Sequence, residues 1–102
     1  MPDADPTIEI TGNDSAHRYE LRVDGALAGI AEYRDRARGG VRTFTHTKVE
    51  PAFEGRGLGG RLVQAALDDT RTSGRSVVAL CPFTAEFIRE HAEYADLVHV
   101  DR

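Results

Sequence analysis

The sequence predicts an α+β domain in which an antiparallel meander of strands is followed by alternating helices and strands. Two observations support this fold class. Up to Glu50 the chain consists of alternating or β-branched segments separated by turn-forming residues. After Gly57, apolar residues recur at helical spacing, and a continuous apolar run follows at residues 76–81. A chain of 102 residues is long enough for one domain with a modest core. The predicted element order is β-β-β-β-α-β-α, with a possible last strand.

Four strands are predicted in the first half, at residues 7–11, 17–24, 26–33 and 41–50. Asp24-Gly25 is a strong signal for a tight hairpin between the second and third strands. Simple alternation along the fourth strand would place His46 on one face together with Phe44 and Lys48.

The second half is predicted to hold two helices around a buried strand. The first helix begins after Gly57, and Gly74 is a plausible residue to end it. The apolar run 76–81 is typical of a strand buried on both faces. Because a helix connects it to the fourth strand, the two strands are expected to run parallel. Pro82 would end this strand and Thr84 would cap the second helix, while residues 97–100 are the candidate last strand.

Composition excludes several classes of protein. Residues 1–6 are acidic and contain two prolines, which predicts a disordered tail before a single domain at residues 7–102. The net charge of −4 argues against nucleic-acid binding, and no apolar run is long enough to span a membrane. The single Cys81 and the lack of a signal peptide indicate a cytoplasmic protein, expected to be a monomer or a weak homodimer. Without a Cys/His cluster of zinc spacing, no metal is expected.

The segment from residue 55 to residue 60 contains four glycines and joins the fourth strand to the first helix. The first N–H groups of a helix have no intrahelical partner and carry the positive end of its dipole, so such a turn is suited to phosphate. Judged on the glycines alone, a tight strand-to-helix corner is equally compatible. Gly60 is followed by Arg61 and Leu62, which does not fit a nucleotide P-loop. Gly55, Gly57 and Gly60 fit a dinucleotide fingerprint, but too little chain remains for its sheet.

Several motifs in order resemble the GNAT superfamily of acetyl-CoA-dependent N-acetyltransferases, and in particular its short YjdJ-like members. The resemblance covers residues 46–98. The matching segments are His46-Thr47 at the strand end, Phe53-Glu54-Gly55-Arg56-Gly57-Leu58-Gly59 at the turn, Cys81-Pro82-Phe83 at a corner, and His91-Ala92-Glu93-Tyr94 near the end.

The resemblance implies a GNAT-like mixed sheet with a cofactor cleft between the fourth and fifth strands. The pantetheine arm of acetyl-CoA or CoA would lie in that cleft beside Val49. Its pyrophosphate would contact the turn and helix start, at Gly55, Arg56, Gly57, Leu58, Gly59, Gly60 and Arg61. Glu54 stands where the superfamily commonly has Gln or Arg, and its side chain is expected to point away. Lys48 stands where relatives often have Glu, so that general base is missing here.

Three residues are candidates for catalysis, each with an alternative. Cys81 could carry the acetyl group or be a small buried residue at a strand end. His46 could act as a general base or lie on the surface as an edge histidine. Tyr94 could donate a proton to the leaving thiolate, as the resemblance implies, or serve as a packing aromatic. Direct transfer from cofactor to amine, without an acylated cysteine, is at least as compatible with the sequence.

Two functions follow from the resemblance. The first is an N-acetyltransferase that moves the acetyl group of acetyl-CoA to a primary amine, either a small molecule or a lysine side chain. The alternative is a non-catalytic acyl-CoA-binding or regulatory module with the same fold, for which the small size of the chain argues. The acceptor amine is not identified by the sequence.

Overall fold

The computed structural model describes residues 6–36, 38 and 40–100. Their strands form one five-stranded sheet in the order β1-β2-β3-β4-β5. The first three pairings are antiparallel, and β4 and β5 run parallel. The described strands and α-helices are β1 (Ile8–Asn13), β2 (Arg18–Val23), β3 (Ala26–Asp35), β4 (Val41–Val49), α1 (Leu58–Thr72), β5 (Ser76–Ala79) and α2 (Pro82–Glu90). The predicted α+β class and element order are confirmed.

The β2–β3 hairpin turns at Asp24-Gly25, as the sequence predicts. Both residues have positive φ angles, 49° at Asp24 and 87° at Gly25, and a type I′ turn requires this of its two central residues. Asp24 also fixes the start of β1, because its carboxylate accepts from the Thr7 N–H at 2.9 Å. Residues 1–5 of the predicted N-terminal tail lie outside the described residues.

A β-bulge in β4 changes which side chains share a face. Tyr33 of β3 pairs with Phe44, but the preceding Glu32 pairs with His46, so Thr45 is an extra residue in β4. Neighbouring residues of β3 point to opposite faces. His46 therefore lies on the face opposite Phe44, and the prediction that these two share a face is wrong. Thr47, which pairs with the buried Ala31, returns to the Phe44 face.

The core lies between α1 and one face of the sheet. The sheet contributes Tyr19, Leu21, Tyr33 and Phe44, and α2 adds Phe87 and Ile88 to the same cluster. The buried apolar side chains of α1 recur at helical spacing and are Leu58, Leu62, Val63, Ala66 and Leu67. None of the helices in the described part of the chain is long and apolar enough to cross a membrane.

The chain after α1 departs from the prediction in three places. β5 ends at Ala79, because the N–H groups of both Leu80 and Cys81 donate to the Phe44 carbonyl at 3.0 Å and the ladder stops there. Cys81 is the N-cap of α2, with Pro82 at the first helical position, so the predicted Thr84 cap is wrong. In place of a last strand, a 3-10 helix at Ala92–Leu97 is followed by a single parallel bridge between Val77 and Val98.

Candidate functional site

A gap opens between β4 and β5 at the end of the sheet that faces the glycine turn. The pairing of the two strands ends at Phe44 and Ala79, whereas β4 continues to Val49. The last five residues of β4 therefore have no β5 partner in the described structure. This is the position at which the sequence predicts a cofactor cleft.

The glycine turn leaves the first N–H groups of α1 without acceptors. Gly55 and Gly57 adopt φ angles of 80° and 71°, in the left-handed region that favours glycine. Gly57 is the N-cap and supplies no side-chain cap. Among the described residues, no group accepts a hydrogen bond from the N–H of Leu58, Gly59 or Gly60. Such a helix end is suited to bind an anion.

One pocket of about 250 Å³ joins the turn to the open end of β4. Six of the residues predicted to bind the cofactor line it: Val49, Gly55, Gly57, Leu58, Gly59 and Gly60. Phe53, Glu54 and Phe83 complete the lining. The structure therefore brings the predicted pyrophosphate and pantetheine positions into one continuous surface.

Phe83 closes one side of this pocket and is not among the site residues predicted from the sequence. A Cβ atom added to Gly59 would lie 2.9 Å from the Phe83 ring, closer than such contacts occur. Gly59 therefore has no side chain because the ring of Phe83 occupies that space. Phe83 is 46% exposed, and in the sequence it is marked only by its place in the Cys81-Pro82-Phe83 corner.

The two arginines of the predicted phosphate site are exposed at its edge. The Arg56 guanidinium lies 5.5 Å from the centre of the Phe53 ring, within cation–π range. Arg61 donates its backbone N–H to the Gly57 carbonyl at 3.3 Å, and its side chain is exposed. Their contacts with phosphate stay a prediction.

Cys81 lies across the gap from β4. Only 4% of it is exposed, and its Sγ–H donates to the Thr47 hydroxyl at 3.5 Å. Burial acts to raise the pKa of this thiol. The pKa of Cys81 is nevertheless lowered, because the Thr47 hydroxyl, with its own proton turned toward the sulfur, and the N–H groups of Thr84 and Phe83 would stabilise the thiolate. A sulfur at the N-terminus of a helix, beside a hydroxyl, has the surroundings of a reactive cysteine.

His46 is not brought together with Cys81. It is exposed on the face of the sheet opposite Thr47, which is the Cys81 partner on β4. A trough of about 500 Å³ is lined in part by Glu32 and Thr45, but His46 is not among its lining residues. Any contribution of His46 must therefore come from the other side of the sheet.

Tyr94 is held away from the glycine turn. Its buried hydroxyl donates to the Asp68 carboxylate at 2.7 Å, and Asp68 is ten residues along α1 from Leu58. At a rise of about 1.5 Å per residue, this is about 15 Å along the helix. Burial and the Asp68 hydrogen bond raise the pKa of Tyr94 to about 12. The Tyr94 proton is therefore engaged with Asp68, and its donation to a leaving thiolate stays a prediction.

The comparisons with known proteins agree with this geometry. The sequence model of a family described as GCN5-related N-acetyl-transferase matches residues 18–97. No curated protein sequence matches this chain. A protein of Staphylococcus aureus described as GCN5-like has a similar solved structure, with a TM-score of 0.67 at 19% identity over 92% of this chain and 90% of that chain.

Two further solved structures contain coenzyme. N-acetylglutamate synthase from Neisseria gonorrhoeae, complexed with coenzyme A and N-acetyl-glutamate, has a TM-score of 0.59 at 29% identity over 72% of this chain and 18% of that one. YncA from Salmonella typhimurium, with its cofactor acetyl-CoA, has a TM-score of 0.54 at 26% identity over 74% of this chain and 47% of that one. This chain spans less than half the length of either protein.

Proposed function

Since this chain belongs to the GCN5-related N-acetyltransferase family, we propose that it binds acetyl-CoA and transfers the acetyl group to a primary amine. The observation that supports this most directly is the continuous pocket from the acceptor-free N–H groups of α1 to Val49 at the open end of β4. The solved structures of N-acetylglutamate synthase and YncA, both above 25% identity, contain coenzyme A or acetyl-CoA.

The residues present fit the coenzyme. The N–H groups of Leu58, Gly59 and Gly60 would hold the pyrophosphate, and the exposed Arg56 and Arg61 would add positive charge beside it. A Cβ on Gly55 or Gly57 would meet no heavy atom within 4 Å, so the space next to both glycines is open. At the gap, the backbone of β4 near Val49 would pair with the pantetheine amides.

Cys81 is the residue that we assign to receive the acetyl group. Bound acetyl-CoA supplies an activated acetyl thioester. The Cys81 thiolate attacks the thioester carbonyl carbon, so that a bond to Sγ forms as the bond to the coenzyme sulfur breaks and that sulfur leaves as a thiolate. The lowered pKa of Cys81 and its place at the gap support this route over direct transfer.

The second half of the reaction regenerates the cysteine. A neutral amine attacks the acetyl carbon on Cys81, the carbon–sulfur bond breaks, and Sγ leaves as a thiolate stabilised by the same hydrogen bonds. The nitrogen then loses its extra proton to a base. His46 is exposed on the other face of the sheet and is not brought together with Cys81, so we assign this proton to solvent water.

Mass spectrometry after mixing with acetyl-CoA and no acceptor tests this assignment. We expect an adduct of one acetyl unit on the only cysteine of the chain. Cys81→Ser should lose the adduct, and turnover on a panel of amines should fall by about 100-fold or more. Thioester hydrolysis without acceptor, measured in the same assay, separates leakage from transfer.

Two outcomes would contradict the proposal in different ways. A folded, CoA-binding Cys81→Ser variant that keeps most of its turnover would establish direct transfer to the amine. A wild-type protein that binds acetyl-CoA but turns over no amine would be a binding module instead of an enzyme.

A further inference from the structure

The hydroxyl of Thr84 is buried and has no hydrogen-bond partner. The residue is completely buried, and none of the described groups bonds its Oγ1 within ordinary geometry. Threonine in a helix commonly donates to the carbonyl four residues earlier. Thr70 of α1, equally buried, does so and reaches the Ala66 carbonyl at 2.7 Å. An unpaired buried hydroxyl is costly, so Thr84 requires an explanation.

The candidate hydrogen-bond partner of the Thr84 hydroxyl is the sulfur of Cys81. Thr84 is the third residue of α2 and Cys81 is its N-cap, and at this spacing the third side chain of a helix reaches back toward the cap residue. The Thr84 hydroxyl is among the groups that lower the pKa of the thiol, although the structure shows no hydrogen bond between the two side chains. A protonated thiol is a weak acceptor, and its one proton is directed to Thr47.

Loss of that proton would change the hydrogen bonding. A thiolate is a strong acceptor with no proton to donate, and the Thr84 hydroxyl would then have a partner. We propose that Thr84 is a positioning residue that donates a hydrogen bond to the Cys81 thiolate and holds its sulfur at the gap between β4 and β5. Its significance for turnover rests on the proposed function, in which Cys81 receives the acetyl group.

Charged side chains on the neighbouring elements face away from this sulfur. His46 and Lys48 of β4 are exposed on the opposite face of the sheet. β5, at Ser76–Ala79, has no charged residue. On α2, Glu86 and Arg89 pair with each other at 2.6 Å, and both are exposed, as is Glu90. The groups near the sulfur that remain to stabilise a thiolate are therefore hydroxyl and backbone N–H groups.

Ultraviolet titration of the thiolate, without acetyl-CoA, tests the proposal. The thiolate absorbs where the thiol does not, and Cys81 is the only cysteine, so Cys81→Ser gives the baseline. Thr84→Val should raise the titration midpoint by about one pH unit, which is about tenfold less thiolate at a fixed pH below the midpoint. Thr84→Ser keeps the hydroxyl and should restore the wild-type midpoint.

Two controls separate positioning from packing. Thr70→Val removes an equally buried hydroxyl and should destabilise the fold while leaving the thiol midpoint unchanged. Thr84→Val should fold at least as well as the wild type, because a methyl replaces an unpaired hydroxyl of the same shape. If Thr84→Val does not fold, Thr84→Ala takes its place in the titration.

The proposal is overturned if Thr84→Val leaves the midpoint unchanged, or if Thr84→Ser moves it by as much as Thr84→Val does. Its failure is distinct from failure of the proposed function. If Cys81→Ser keeps its turnover, the acetyl-cysteine route fails, whereas the titration still reports whether Thr84 holds the thiolate.

Discussion

The two ends of β4 differ in whether the polar groups beside them have hydrogen-bond partners within the protein. Near Val41, the buried Arg42 is enclosed by partners. It donates to the Asp35 carboxylate at 2.7 and 2.9 Å and to the Tyr19 hydroxyl at 2.6 Å, and its guanidinium lies 3.9 Å from the Tyr33 ring centre. Near Val49, the N–H groups at the start of α1 have no acceptor in the described structure. The hydrogen bonds at the Arg42 end stabilise the fold, whereas the N–H groups at the Val49 end are available to bind a ligand.

Cavity volume alone does not distinguish these two ends. The pocket at the Arg42 end is about 310 Å³, larger than the 250 Å³ pocket at the glycine turn. What separates them is the hydrogen-bonding state of the lining. Tyr19 accepts from Arg42 and donates to Asp69 of α1 at 2.7 Å, so that network is satisfied internally and joins the sheet to the helix.

Removal of the Arg42 side chain is expected to lower the free energy of unfolding more than any other substitution discussed below. Arg42→Met should lower the free energy of unfolding by about 2–3 kcal/mol, because it removes the donor to the partly exposed Asp35 carboxylate and to the Tyr19 hydroxyl. Urea denaturation checks this. Arg71→Met is the control, since the exposed Arg71–Asp96 pair should contribute much less. Equal losses in the two variants would show that the Arg42 end is not the more strongly held one.

A substitution at the other end should affect binding more than folding. Gly57→Ala forces a side chain into a φ of 71°, where the Cβ meets nothing within 4 Å but the backbone is strained. We expect affinity for CoA to fall by about tenfold, because strain of about 1–2 kcal/mol displaces the turn that holds the N–H groups. Calorimetry measures the affinity, with Gly25→Ala, at a distant turn of φ 87°, as the matched control. If folded Gly57→Ala binds CoA with unchanged affinity, the glycine turn is not part of the coenzyme site.

Tyr94→Phe should change the free energy of unfolding least, and the size of this change should depend on pH. Loss of the hydrogen bond to Asp68 should cost about 1–2 kcal/mol. The folded pKa of Tyr94, about 12, is above the ordinary value of about 10. Its contribution is therefore complete below about pH 10 and is lost as the pH rises toward 12. Denaturation at several alkaline pH values should show a shallower decline in Tyr94→Phe. A large loss of acetyl transfer in this variant would instead restore Tyr94 as a catalytic residue.

The elements with local signals were predictable from the sequence. Asp24 and Gly25 favour the positive φ angles that their turn requires. The helical spacing of apolar residues after Gly57 predicts which face of α1 is buried. The glycine turn was recognised because an open helix N-terminus has a direct chemical consequence.

What the sequence could not show depends on contacts between distant residues. The bulge at Thr45 arises from the pairing of β3 with β4, and no local signal marks it, yet it moves His46 to the other face of the sheet. The partners of Tyr94 and Cys81 are likewise distant, since Asp68 and Thr47 lie 26 and 34 residues away in the chain. Residue type identified these side chains as candidates, and only the fold shows which groups they contact.

Amide chemical shifts recorded during titration with CoA test the difference between the two ends most directly. We expect the largest changes at Leu58, Gly59 and Gly60, with further changes at Val49 and around Cys81. The amide chemical shifts of Asp35, Arg42 and Asp69 should not change, because the hydrogen-bond donors and acceptors there are already paired. Changes concentrated at the Arg42 end, or no change at the glycine turn at saturating CoA, would contradict the central claim that the open end of β4 and the start of α1 form the coenzyme site.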